Sequence, residues 1–215
     1  NRTERLRQVI ILGVDNVLLM DVAGPAQVFG STNKVLGRTA YQIATATERG
    51  ADFTTDTGLQ MRADRSFDTT LEVDDVVVPG GPGVDLQLGR SELQSFLISI
   101  APEVERLVSV CSGSLLPASA GLLKGRKATT HWERRAVAFR RFPNVDWHMD
   151  EIFTQDGKFY CAAGVTTGSD LALSLVEHDH GRRVALGVAR EMVVFMYRQG
   201  GHSQYSAPRR AQSTT

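Results

Sequence analysis

The chain has 215 residues, 42% of them hydrophobic and 22% charged, enough to bury a core without disulfide or metal staples. Its 24 Lys and Arg balance 24 Asp and Glu, so it lacks the basic excess by which a domain holds nucleic acid on its own. Two cysteines make no disulfide framework, no Cys/His spacing suggests structural zinc and no apolar run is long enough to span a membrane. A reducing cytoplasm, with no metal, no cofactor and no membrane, is the resulting expectation.

The chain opens on Asn1 with no signal peptide, which reads as a trimmed or incomplete N-terminus. QVIILGV predicts a buried parallel strand over 8–14. Asp21 then precedes a Gly24-Pro25 break, and a helical pattern follows over 26–36. YQIATATE predicts a second strand over 41–48, and TTDTGLQMRADRSF alternates loosely, as a small hairpin or edge strands would. Val76, Val77 and Val78 form a third buried strand, which runs into Gly80-Gly81-Pro82-Gly83. A helix over 91–100, a strand over 107–110 and a helix over 112–120 repeat the pattern. WERRAVAFRRF is an amphipathic helix with its arginines on the wet side. NVDWHMDEIFTQDGKFYCAAG reads as strands around an Asp156-Gly157 hairpin turn, and helices over 167–178 and 182–197 close the domain.

Alternating short apolar strands and helices imply an α/β fold: a three-layer αβα sandwich of the flavodoxin-like kind, with a mostly parallel central sheet. The domain is expected over 1–200. The polar run GHSQYSAPRRAQSTT, at 201–215, is a linker or tail. In such folds the loops after the strands gather along one edge and build the site. Asp21, Gly80, Gly81 and Cys111 all fall just after predicted strands, which makes them one candidate site.

The residues of that site suit cysteine chemistry. Cys111, in VSVCSGS, sits at a strand-to-helix elbow, where unpaired N–H groups and the helix dipole favour a thiolate. The Ser112 N–H, with one from Gly80 or Gly81, could stabilise an oxyanion. His131 could serve as base or orienting partner, and Asp21 as a carboxylate sharing a proton with the thiol. Each residue also has a plainer reading. Cys111 could be a small buried hydrophobe, as Cys161 is expected to be. Asp21 could be a helix N-cap, His131 a surface cap and the glycines only a turn. His178 and His180 read as solvated, and the arginines of WERRAVAFRR as an exposed face or a partner surface.

Four segments carry a resemblance: DVAGP, PGGPG, VCSGSLLPASAGLLKGRKATTHW and AGVTTGSDLALSLVE. Together they resemble the ThiJ/PfpI superfamily, the class I glutamine amidotransferase-like fold, over about 9–204. By that resemblance the catalytic positions are Cys111, Asp21 and His131. The histidine that PfpI-type proteases carry after the cysteine is replaced here by Ser112, and the late His-x-Glu pair of glutamine amidotransferases is missing. Two branches share these motifs. One is the N-terminal domain of AraC-family transcriptional regulators; the resemblance of the polar tail to its linker favours this branch. It implies a sensor that binds a small metabolite, such as an amine or amino-acid derivative, among Asp21, Gly80, Gly81, Cys111, Ser112 and His131. DNA would be reached through a helix-turn-helix domain outside these residues, and a homodimer is expected. The other branch is isonitrile hydratase, a lyase in which the cysteine attacks the isonitrile carbon and the aspartate relays a proton.

Overall fold

The computed structural model describes residues 5–67 and 72–194. Its strands are β1 (Arg7–Leu12), β2 (Tyr41–Thr47), β3 (Phe53–Thr54), β4 (Gln60–Met61), β5 (Arg65–Ser66), β6 (Asp75–Val78), β7 (Arg106–Val110), β8 (Lys127–Ala128), β9 (Asp146–Trp147), β10 (Phe153–Asp156) and β11 (Phe159–Ala162). Its helices are α1 (Leu19–Leu36), α2 (Val84–Gln87), α3 (Ser91–Ile100), α4 (Leu115–Ser119), α5 (Arg135–Arg141), α6 (Thr167–His180) and α7 (Arg182–Glu191).

Seven strands make the central sheet, in the order β10-β11-β7-β6-β1-β2-β5. Neighbours are parallel except β10 and β11, which form the antiparallel edge hairpin. β6 and β7 are buried along their whole lengths, because their β-branched runs have helices on both faces. Side chains alternate between two cores. Ile10 and Leu12 join α3 and α4 on one face, while Val9 and Ile11 meet α1, α6 and α7 on the other. The αβα sandwich is therefore the observed fold.

Two boundaries differ from expectation. α1 begins at Leu19 and runs straight through Pro25. Proline forfeits one i→i−4 bond, here to the carbonyl of Asp21, but Val22, Val28 and Phe29 of the same helix are buried against the sheet and hold it continuous. Burial outweighs the local break. The last helix stops at Glu191 rather than 197, with Val193 at φ 53; the remaining expected turn and the polar tail lie outside the described residues. No helix among the described residues is long and apolar enough to cross a membrane.

Candidate functional site

The loops after β1, β6 and β7 converge at the carboxyl edge of the sheet. Cys111 is the first residue after β7 and has φ 57, a left-handed conformation that a non-glycine residue adopts only under constraint. A 3₁₀ turn over Cys111–Ser114 carries the chain into α4. Gly113 makes that turn possible: a β-carbon there would lie 2.2 Å from the Val78 carbonyl oxygen. The small residues of CSGS let the elbow press against the end of β6. Thr130 and Ser114 close it from beneath, their hydroxyls donating to the Cys111 carbonyl at 3.0 and 3.4 Å.

Asp21 reaches the elbow from the first turn of α1. Its backbone is helical and the N-cap position belongs to Leu18, so it does not cap the helix. The carboxyl is wholly buried, accepts a 3.0 Å bond from the Gly80 N–H through Oδ2, and leaves Oδ1 without a hydrogen bond among the described residues. Burial pushes its pKa up to about 7, against the opposing pull of the Gly80 N–H. For Cys111 the balance is similar. Burial, then the Asp21 charge, push the thiol up to about 12, and the Ser112 N–H and hydroxyl only partly offset them. The expectation of a stabilised thiolate is therefore corrected. The elbow buries the thiol, and desolvation beside a carboxylate outweighs the dipole of a short turn. Burial therefore pushes both groups of the pair toward their protonated forms.

The glycine turn is also occupied. The Gly81 N–H donates to Ser112 Oγ at 2.9 Å, and the Gly80 N–H serves Asp21, so neither is free for an oxyanion. His131 approaches from the other side, half-buried, its pKa pushed down by burial. It makes no hydrogen bond to Cys111. Gly164 stands between them: a β-carbon there would lie 2.9 Å from His131 Cδ2 and 3.4 Å from Cys111 Sγ.

The structure thus brings Asp21, Gly80, Gly81, Cys111, Ser112 and His131 to one place, as a site-bearing edge should. It adds Gly164 and Val165, the latter at φ 28, and Thr167, whose hydroxyl closes that loop at 2.7 Å to the Gly164 N–H. The available signal for them was their position directly after β11, at the same edge. Cys161 is buried opposite Ser109 of β7, as a core residue should be. His178 is exposed, as expected, with Nδ1 3.4 Å from Arg106; His180 is only partly exposed, its ring edge-on against Tyr41, and Asp179 between them joins a buried ion cluster.

Comparison with known proteins bears on this geometry. The model of the DJ-1/PfpI family matches residues 7–178. The chain belongs to the DJ-1/PfpI family. A THiJ/PfpI family protein from Pseudomonas syringae superposes with a TM-score of 0.80 at 26% identity, covering 98% of this chain and 86% of that one. Among curated relatives, the HTH-type transcriptional regulator GbdR of Pseudomonas aeruginosa is 31% identical over 182 residues, which is 85% of this chain and 49% of that protein. This DJ-1/PfpI chain therefore spans about half the length of that regulator. Isonitrile hydratase of Pseudomonas putida is 30% identical over 171 residues, or 79% of this chain and 71% of the hydratase. Both branches anticipated from the motifs are represented among the relatives.

Proposed function

We propose that this chain is the ligand-sensing domain of an AraC-family transcriptional regulator, with a small metabolite bound in the cleft around Asp21, Gly80, Gly81, Cys111, Ser112 and His131. The observation that carries the reading is the burial of Cys111 beside the equally buried Asp21 carboxyl, with no hydrogen bond to His131. A thiol pushed up to about 12, without a hydrogen bond to His131, suits a recognition pocket better than a nucleophile. The half-length match to GbdR supports the same assignment. In this reading residues 1–200 are the sensor, 201–215 lead toward a helix-turn-helix domain, and the protein works as a homodimer in the cytoplasm. Ligand binding biases the arrangement of the DNA-binding domains.

The test is a thermal-shift screen of aliphatic amines and amino-acid derivatives on the wild type, Asp21→Ala and Cys111→Ala. A compound that raises the wild-type Tm but leaves both variants unmoved supports the sensor. The reading is overturned if no compound gives a shift that both variants lose.

A second reading is a hydratase, favoured by one observation: the buried Asp21 carboxyl lies beside the thiol with Oδ1 unpaired among the described residues, placed to take and return a proton, and its pKa is raised toward 7 by burial. Cys111 would add to the isonitrile carbon, Asp21 would move the proton, and water would release the N-formamide and the free thiol. Formation of N-cyclohexylformamide from cyclohexyl isocyanide is the assay. Turnover no greater than that of Cys111→Ala ends this reading.

A further inference from the structure

Beside the elbow, the carboxyl edge of the sheet holds a cavity of about 350 Å³. We propose that it binds a small zwitterion with an apolar body, at a site separate from the cysteine. β2 lies on one side of β1 and β6 on the other, so the strand order reverses there. Open α/β sheets take ligands in the crevice at such a point. Asp15 follows β1, Asp52 and Phe53 follow β2, and Gln87 and Arg90 follow β6; all five line the cavity. Its volume lies within the range of roughly 300–1,000 Å³ found for small-molecule sites.

The lining has an apolar floor and charges of both signs, of which Glu48 and Arg49 already answer each other at 3.6 Å, leaving Asp15, Asp52 and Arg90. Phe53 is buried, and Phe67 is stacked on Phe96 with centroids 4.7 Å apart, so neither ring is free to collapse into the space. One oxygen of Asp15 accepts from the Thr54 N–H at 2.9 Å, and one of Asp52 from the Ala63 N–H at 3.1 Å. These bonds orient both carboxylates, and neither has an ion pair among the described residues. Among the described residues Arg90 likewise has no ionic partner and the Gln87 side-chain amide no hydrogen bond. An ammonium group would be taken by Asp15 and Asp52, a carboxylate by Arg90 and Gln87, and the body of the molecule by Phe53 and Phe67. A molecule bearing a single charge leaves one end of the lining unanswered.

Calorimetric titration with L-phenylalanine, phenethylamine and 3-phenylpropionate tests this on the wild type, Arg90→Glu, Asp52→Asn and Cys111→Ala, with folding of each checked by circular dichroism. L-Phenylalanine is expected to bind at least about tenfold more tightly than either singly charged analogue. Arg90→Glu and Asp52→Asn should each weaken it by about tenfold or more, while Cys111→Ala should not. Arg90 is exposed, so its variant remains decisive even if Asp52→Asn fails to fold. No binding at millimolar phenylalanine overturns the proposal. So does equal binding of an analogue, or a loss confined to Cys111→Ala; that last outcome would return the ligand to the elbow.

Discussion

Cys111 and Asp21 exchange influence through burial and charge, and the exchange can be read in both directions. The Asp21 carboxylate opposes ionisation of the thiol, so its removal should make the thiol more reactive. Asp21→Asn is expected to speed alkylation of Cys111 by iodoacetamide at pH 8 by about tenfold or more, followed by mass spectrometry. A general base would give the opposite sign, so slower alkylation would favour the hydratase reading. The same variant should change stability with pH. Asp21 has a folded pKa near 7 against 3.8 in an unfolded chain, so the folded state holds the extra proton between those values. Stability associated with the protonated carboxyl is fully present below about 4 and is lost as pH rises toward 7. Urea unfolding of the wild type should weaken across that window by on the order of 2–4 kcal/mol, and Asp21→Asn should flatten the slope. An unchanged slope would mean that the carboxyl is better solvated than its burial implies.

The elbow depends on elements meeting at backbone distance. Gly113 faces the Val78 carbonyl, which belongs to a strand held on both sides and cannot retreat. Gly113→Ala is therefore expected to cost at least about 2 kcal/mol in urea unfolding, because a methyl group must displace the elbow or β6. Gly168 is the contrasting case. Its added methyl would meet a buried Val110 methyl at 2.8 Å, so the site must shift there too, but against a side chain rather than the backbone carbonyl that Gly113 faces. Alanine also gains up to about 1 kcal/mol of helix propensity there, so Gly168→Ala should be milder than Gly113→Ala. Gly24 completes this seam, with Ser169 at 2.7 Å from its missing β-carbon. The close crossing of α1 and α6 explains how a helix interrupted by proline stays continuous and carries Asp21 to the cysteine.

At the scale of the whole molecule, the site edge is opposed by a charged base at the other end of the strands. Arg7 of β1, Asp75 of β6 and Arg106 of β7 meet Asp179 near the end of α6, and the Tyr41 hydroxyl donates to Asp179 at 2.7 Å. Burial would raise the Asp179 pKa, but the Arg106 guanidinium overcomes it and holds the carboxyl at about 2. That contribution is present above the unfolded value of 3.8 and disappears as pH falls toward 2. Arg106→Met would leave Asp179 and Asp75 buried without it, so a loss of about 3–5 kcal/mol and an acid-unfolding midpoint at higher pH are expected. A variant as stable as the wild type would show that water reaches the cluster.

How much of this was legible beforehand follows from distance along the chain. Helix α3 appears over Ser91–Ile100 as its periodicity predicts, and the buried strands fall within a residue or two of their apolar runs. Those signals are local. Pro25 is a strong local breaker, so the sequence alone starts α1 late; the packing that overrides it comes from the sheet and from α6, far along the chain. Likewise, the exit loop after β11 carries no chemistry of its own, so Gly164 enters the site only through its neighbours.

The amino-acid order by itself determined the alternation of strands and helices, the family motifs and the gathering of Asp21, the Gly80-Gly81 turn and Cys111 at one edge. Those are properties of short segments and of the crossover rule. Tertiary structure alone decided the ionisation of that edge. A thiol after a strand is favoured as a thiolate by its own helix, yet here it lies buried against a carboxyl from α1, and desolvation in that enclosure prevails.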